Sequence, residues 1–178
     1  MTPIETSQDG QIKSPTQRVA DFAGSDVFRK LFRDGMDLVE ETAAYLDGPG
    51  REDAKRLGRA GALSYAAESM ALTTRLMQSA SWLLAQRAVA EGDMTPAEAA
   101  DEKYRLSEVR GSDAAWPAGD DPCPVRLADL VERGVTLYQR LRRLDQSLFA
   151  ESESFEGQTP NPVQSHISRL ENAFGARI

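Results

Sequence analysis

The side chains that most often perform chemistry in proteins are rare in this chain. Its 178 residues include one histidine, His166, and one cysteine, Cys123. A structural zinc site usually takes four nitrogen or sulfur ligands, so these two residues cannot build one. A single cysteine also excludes an intramolecular disulfide framework, which favours a reducing compartment such as the cytoplasm. The sequence therefore predicts neither a metal nor a cofactor.

Nucleotide-binding and hydrolytic motifs are absent as well. The sequence has no GxxxxGK[ST] or GxGxxG loop and no HExxH helix. A small helical enzyme of the isomerase type could still use converging arginine and glutamate side chains to stabilise charge. The candidates for such a site are Glu68, Arg75, Arg87, Arg140 and Arg143. The favoured interpretation is that these residues lie on solvated helix faces, and we expect no catalytic residue.

Trp82 is the most unusual member of the polar stripe that it shares with Glu68, Arg75 and Gln86 at helical spacing. A tryptophan on a polar stripe exposes a large ring unless something covers it, and tryptophan is enriched at protein interfaces. Trp82 is therefore a candidate partner-binding residue. The alternative is that a rotation of the helix buries the ring in the core.

The charge of the chain argues against two classes of partner. The net charge is −7, and residues 91–124 carry nine acidic and three basic side chains. Nucleic-acid binding needs a basic footprint, so we expect no nucleic-acid partner. The least charged stretch, residues 60–86, contains no run of roughly 18 apolar residues, so we expect no membrane span.

Three long segments with apolar residues three and four apart predict three long α-helices. They run over Asp26–Asp47, Arg59–Glu91 and Val125–Ala150. Thr95-Pro96-Ala97-Glu98 resembles a capping box and predicts a short extra helix to about Leu106. No alternating run predicts a β-strand. The fold class expected is therefore all-α, a three-helix bundle formed by residues 25–151.

The second long segment carries two apolar stripes, which favours a helix covered from two sides. One stripe contains Leu63, Met70, Met77 and Leu84, and the other contains Tyr65, Leu72, Leu76 and Leu83. We expect this helix at the centre of the bundle, where it touches both other helices or a second subunit. The pattern favours a dimer.

Both ends of the chain are expected to be flexible. Residues 1–24 are too polar to offset the entropy of ordering, so a disordered arm is predicted. Residues 152–178 form a second flexible tail with a short amphipathic motif. Its apolar face contains Val163, Ile167, Leu170 and Phe174. A tethered motif of this kind is typical of helix-in-groove recognition, and the alternative is that it covers its own bundle.

Three strings of the sequence resemble one known family. They are FRDGMDLVEETAAYLDGPGR (32–51), YAAESMALTTRLMQSASWLLAQRAVAEGDMT (65–95) and NPVQSHISRLENAFG (161–175). These are similar to the alphaproteobacterial family named regulator of CtrA degradation (RcdA). The resemblance implies a homodimeric three-helix bundle with a mobile C-terminal tail needed for delivery.

The same resemblance implies a non-enzymatic adaptor of the ClpXP protease that promotes degradation of cell-cycle regulators such as CtrA. It implies a CpdR-like response regulator and a PopA-like cyclic-di-GMP effector as partners, and recruitment to a cell pole. Val163–Phe174 would then be the delivery element, because a tethered weak motif raises the local concentration of cargo. A bundle that only holds a larger assembly together is the remaining alternative to the adaptor and the enzyme.

Overall fold

The computed structural model describes residues 14–107, Trp116 and residues 121–149. Within these residues every regular element is helical, as the sequence predicts. The α-helices are α1 (Pro15–Ala23), α2 (Asp26–Asp47), α3 (Pro49–Arg56), α4 (Arg59–Glu91), α5 (Pro96–Ala99) and α6 (Val125–Phe149). The predicted amphipathic motif at 163–174 lies outside the described residues.

The ends of α2 and α4 are set by local signals. The Ser25 hydroxyl accepts a hydrogen bond from the Phe28 amide at 3.1 Å and begins α2. Helix α4 ends at Gly92, whose φ of 81° is in the left-handed region that glycine adopts without strain. Both helices have the predicted bounds. Pro49 occupies the first turn of α3, where no amide donor is needed.

The prediction of a disordered arm over residues 1–24 is wrong for residues 15–23, which form α1. The Ser14 hydroxyl caps this helix by accepting from the Gln17 amide, and Val19 and Ala23 are buried. The Phe22 ring lies 6.2 Å from the Trp82 ring between their centroids. A few apolar side chains on one face of α1 are enough to stabilise it, because they pack against α4. Residues 1–13 lie outside the described residues.

The segment that follows α4 contains less helix than the sequence predicts. The capping box is present, since Thr95 accepts from the Glu98 amide and Glu98 accepts from the Thr95 amide at 2.8 Å. Helix α5 nevertheless ends at Ala99, and one 3-10 turn follows over Glu102–Tyr104. Leu106 then inserts into the core in an extended segment.

Helix α4 is the centre of the bundle and packs against α1, α2 and α6. Two glycines allow its neighbours to come close. A Cβ atom on Gly35 of α2 would lie 2.6 Å from Leu83 Cδ1, and one on Gly134 of α6 would lie 2.7 Å from Leu72 Cδ1. The predicted bundle of three long helices is therefore confirmed, with α1, α3 and α5 as shorter additions.

Candidate functional site

One face of α4 exposes large apolar side chains to solvent. Leu63, Met70, Met77 and Leu84 are 67%, 71%, 66% and 53% exposed. They recur every seventh residue, so they form one line along the helix, which we call the α4 stripe. The second apolar line, with Leu72 and Leu83, is buried against the other helices. The described protomer therefore covers only one of the two predicted stripes.

The α4 stripe carries no charge over its length. Between Arg59 and Arg87 the helix contains only two charged residues, Glu68 and Arg75. Arg75 is buried and Glu68 is partly buried, so neither interrupts the exposed line. From Leu63 to Leu84 the stripe is about 32 Å long. A contiguous apolar surface of this kind on a helical bundle is typical of a protein contact site.

A shallow apolar groove of about 160 Å³ between α2 and α4 adjoins the stripe. Its α2 wall contains Val39 and Leu46, and its α4 wall contains Leu76 and Met77. Met77 belongs to both the groove and the α4 stripe. The two features therefore form one continuous apolar surface.

A second and larger groove of about 460 Å³ lies between α2 and α6, away from the α4 stripe. We call it the α2/α6 groove. Its apolar lining is Leu31, Leu38 and Leu137, and its charged lining is Asp34, Asp129, Glu132, Arg133 and Arg140. Leu31 and Leu38 are only 2% and 5% exposed, so the groove offers little apolar surface between its charged walls.

One ion pair closes the edge of the α2/α6 groove. Arg133 donates to Glu41 Oε2 at 2.7 Å and to Asp129 Oδ2 at 3.1 Å. The hydrogen bond from Arg133 lowers the pKa of the Glu41 carboxyl below its ordinary value. Arg133 and Asp129 of the groove are therefore paired within the fold.

The assignment of Trp82 as a partner-binding residue is wrong for the described protomer, because Trp82 is only 1% exposed. Its indole nitrogen donates to Asp145 Oδ1 at 2.9 Å. Arg105 also donates to this carboxylate, at 2.9 and 3.0 Å. Trp82 therefore faces inwards, where Asp145 of α6 accepts from its indole nitrogen and Arg105 after α5 pairs with the same carboxylate.

The arginine and glutamate residues of the enzyme hypothesis do not converge. Arg75 is buried, whereas Arg87 lies on the surface, where it pairs with Glu91 at 2.8 Å. Arg140 lines the α2/α6 groove, and Arg143 lines a different depression on α6. The described structure therefore does not assemble them into the pocket that charge-stabilising catalysis would need.

Sequence reasoning missed the residues that surround Trp82. Tyr138 donates to Gln78 Oε1 at 2.9 Å and its hydroxyl contacts the Ser107 carbonyl, while burial raises the pKa of Tyr138. Asp145 follows Tyr138 by seven residues on the same buried line of α6. A polar residue at that position of an apolar seam was the available signal, since buried carboxylates require partners.

Metal binding and thiol chemistry find no support in the described part of the chain. No group of three or more potential metal ligands occurs among residues 14–107, Trp116 and 121–149. Burial, and then the nearby Glu68 carboxylate, raise the pKa of the Cys123 thiol, which disfavours the reactive thiolate. No helix in the described ranges is long and apolar enough to cross a membrane.

The fold and the exposed α4 stripe together define a small helical bundle with an apolar contact face. The chain belongs to the family described as protein of unknown function DUF1465, whose model matches residues 19–174. It is 50% identical to RcdA from Caulobacter crescentus CB15, for which a crystal structure is known. The match has a TM-score of 0.61 and covers 74% of this chain and 98% of that chain. The resemblance to the RcdA family is therefore confirmed. No curated protein matches the chain.

Proposed function

We propose that this protein is a non-enzymatic adaptor that promotes degradation of cell-cycle regulators such as CtrA by the ClpXP protease. The observation that carries the proposal is the 50% identity to RcdA over 98% of the solved chain. The long uncharged α4 stripe supports it, because an adaptor works through protein contacts and needs an exposed surface for them. The proposed location is the cytoplasm, with recruitment to a cell pole during activity, as the resemblance to the RcdA family implies.

The proposed partners are the ClpXP machinery, a CpdR-like response regulator, a PopA-like cyclic-di-GMP effector and the cargo. The contact element is the C-terminal motif, with Val163, Ile167, Leu170 and Phe174 on its apolar face. Once the bundle has bound one partner, the tethered motif contacts a second partner at a high effective concentration. Weak contacts by the motif are then sufficient for delivery.

A homodimer joined through the α4 stripe is part of the proposal. A helix with Leu63, Met70, Met77 and Leu84 at seven-residue spacing can pack against an identical helix along that line. Two copies meet there without repulsion between like charges, since the exposed part of the stripe carries none. A twofold axis then places two C-terminal tails on one adaptor.

The decisive experiment measures the half-life of CtrA with ClpXP, CpdR and PopA, in the presence and absence of this protein. The full chain is expected to shorten the half-life several-fold. Leu170→Ser, in the apolar face of the motif, is expected to remove most of the effect. Asn172→Ser, a polar position of the same motif, serves as the matched control and is expected to retain it.

Two outcomes would contradict the proposal in different ways. An unchanged CtrA half-life together with stable, stoichiometric complexes would indicate a structural scaffold and not an adaptor. Normal delivery by a chain that ends at residue 160 would leave the adaptor function intact but remove the role of the tail.

A further inference from the structure

The exposed face of α4 has nearly the same order of residue types in both directions along the helix. It consists of positions three and four apart, from Leu63 to Leu84, whose side chains are exposed or half-buried. Their residue types in order are L, A, A, M, T, T, M, A, S and L. The face is therefore symmetric in side-chain size about a midpoint that lies between Thr73 and Thr74.

This symmetry suits contact with a second copy of the chain. In an antiparallel pair of helices with a twofold axis at the midpoint, Leu63 faces the partner's Leu84 and Met70 faces the partner's Met77. The small side chains between them allow the two helix axes to approach closely. A shift of seven residues in either direction would place Arg59 or Arg87 against the uncharged face. The symmetric register is therefore the one that buries the whole α4 stripe without a charge.

The charges at the two ends of the face favour the antiparallel direction over the parallel one. Residues 51–59 carry four basic and two acidic side chains, whereas residues 87–93 carry one basic and two acidic side chains. A parallel pair would place each end beside a copy of itself, so charges of the same sign would meet at both ends. An antiparallel pair places the basic end beside the acidic end twice, and it also sets the two helix dipoles in opposite directions.

Arg87 is compatible with this arrangement, because its own protomer already holds its side chain. The guanidinium lies 5.1 Å from the centroid of the Phe32 ring of α2, and Arg87 pairs with Glu91 at 2.8 Å. In the symmetric register the partner's Arg59 lies within about one helical turn of Glu91. Glu91 can therefore accept from both arginines, one from each copy.

The apolar groove between α2 and α4, which we call the α2/α4 groove, belongs to the same contact. It holds about 160 Å³, and its walls include Val39 and Leu46 of α2 and Met77 of α4. Since Met77 faces the partner's Met70, the flexible thioether side chain of that methionine is positioned to enter the groove. The twofold axis repeats the insertion, so both grooves of the pair are filled.

We propose that two copies of this chain pair through antiparallel α4 helices, with the twofold axis between Thr73 and Thr74 and with Met70 of each copy in the α2/α4 groove of the other. The inference rests on the proposed function, which includes a homodimer joined through the α4 stripe, and adds the direction, the register and the groove. Phe149 lines a depression together with Pro96, which follows the C-terminal end of α4. The two α6 helices therefore end at opposite ends of the dimer.

A distance measurement between spin labels tests the direction. Cys123→Ser removes the native thiol, and Ala90→Cys places one nitroxide on each copy at an exposed position off the stripe. The antiparallel pair separates the two labels by about 50 Å, because each lies about 25 Å from the axis along α4. A parallel pair would bring them to within about 30 Å, since packed helix axes are about 10 Å apart. A dominant short distance would overturn the proposal, and so would a monomer in sedimentation equilibrium.

Disulfide cross-linking tests the register in the same Cys123→Ser background. Leu63→Cys and Leu84→Cys are each expected to remain uncross-linked alone. A mixture of the two, after exchange of subunits, is expected to give a covalent dimer, because these positions face each other across the axis. Cross-linking of Leu63→Cys with itself would indicate a parallel pair, and no cross-link in the mixture would contradict the register.

A matched pair of variants on α2 tests the groove. Ala43 lines the α2/α4 groove, whereas Ala44 is exposed beside it and is not part of the lining. Ala43→Glu is expected to raise the dissociation constant of the dimer roughly tenfold, because insertion of Met70 would remove water from the new carboxylate. Ala44→Glu should dimerise as the unmodified chain does. Equal dissociation constants for the two variants would contradict the insertion of Met70.

The CtrA half-life assay separates this inference from the proposed function. A parallel dimer or a monomer that still shortens the half-life would reject the antiparallel pair and keep the adaptor. An antiparallel dimer without any effect on the half-life would keep the pair and reject the adaptor.

Discussion

The indole nitrogen of Trp82 donates a hydrogen bond to Asp145 Oδ1 at 2.9 Å, across 63 positions of sequence. This contact joins α4 to α6 in the interior of the bundle. Arg105 completes it by donating to both oxygens of the same carboxylate, and its guanidinium lies 4.5 Å from the centroid of the Phe149 ring. A buried carboxylate is tolerated here because two donors from separate segments compensate the loss of water.

Removal of this carboxylate should destabilise the fold. Asp145→Ala leaves the Trp82 and Arg105 donors without an acceptor, so we expect a loss of about 2–4 kcal/mol in the free energy of unfolding. Trp82→Phe keeps the ring and removes one donor, and should cost about 1–2 kcal/mol. Urea denaturation followed by circular dichroism measures both. Asp129→Ala, at an exposed ion pair, is the control, and an equal loss there would contradict the central role of Asp145.

The α4 stripe should control self-association. The double variant Met70→Glu and Met77→Glu places four carboxylates at the proposed contact of two copies, where mutual repulsion and lost apolar burial both oppose pairing. Sedimentation equilibrium should show a monomer, while helix content stays unchanged because both side chains are exposed. The control variant is Gln139→Glu, on the exposed surface of α6, and it is expected to show the same self-association as the unmodified chain. Persistent dimers of the double variant would place the interface elsewhere.

Gly50 should not tolerate a side chain. A Cβ atom there would lie 2.8 Å from the Tyr45 carbonyl oxygen and would also meet the Tyr65 hydroxyl. We therefore expect Gly50→Ala to cost about 1–3 kcal/mol, seen as a lower midpoint in thermal unfolding. At Gly24 the nearest atom would be 3.5 Å away, so Gly24→Ala should be neutral or slightly stabilising. Equal midpoints for the two variants would argue against the close approach at Gly50.

The ion pair between Glu41 and Arg133 should make stability depend on pH. The Arg133 hydrogen bond lowers the pKa of Glu41 in the folded state from its ordinary value of 4.5. The contribution is therefore fully present above pH 4.5 and is lost as the pH falls through the lower folded pKa. Glu41→Gln should be less stable than the unmodified chain at pH 7, and the difference should shrink below pH 4.5. Denaturation across this pH range measures the difference, with Glu40→Gln as an exposed neighbouring control. A difference that is constant over the range would show that ionisation of Glu41 is not involved.

Helix limits could be predicted because their signals are local. The Ser25 cap, the Gly92 end and the capping box at Thr95 each act within one turn of the residues they affect. Helix α1 was missed for the opposite reason. This helix is stabilised by packing of its few apolar residues against side chains of other helices, such as Phe28 and Trp82.

The C-terminal motif and the α2/α6 groove also differ in whether the sequence could predict them. The apolar pattern of the C-terminal motif is visible in the sequence, and its role as the delivery element stays a prediction, since residues 163–174 lie outside the described part. The α2/α6 groove could not be predicted, because its walls come from segments about a hundred residues apart. Neither helix alone indicates that Leu31 and Leu137 line one depression.

The sequence by itself determined the helical class, the bounds of the long helices and the family to which the chain belongs. Only the tertiary structure decided which face of α4 points inwards. Periodicity marks Leu63–Leu84 and Tyr65–Leu83 as equivalent apolar lines, but a buried Trp82 needs an acceptor for its indole nitrogen. Asp145 of α6 is that acceptor and is itself paired with Arg105, so the Trp82 side of the helix lies in the bundle and the line through Met70 and Met77 remains exposed.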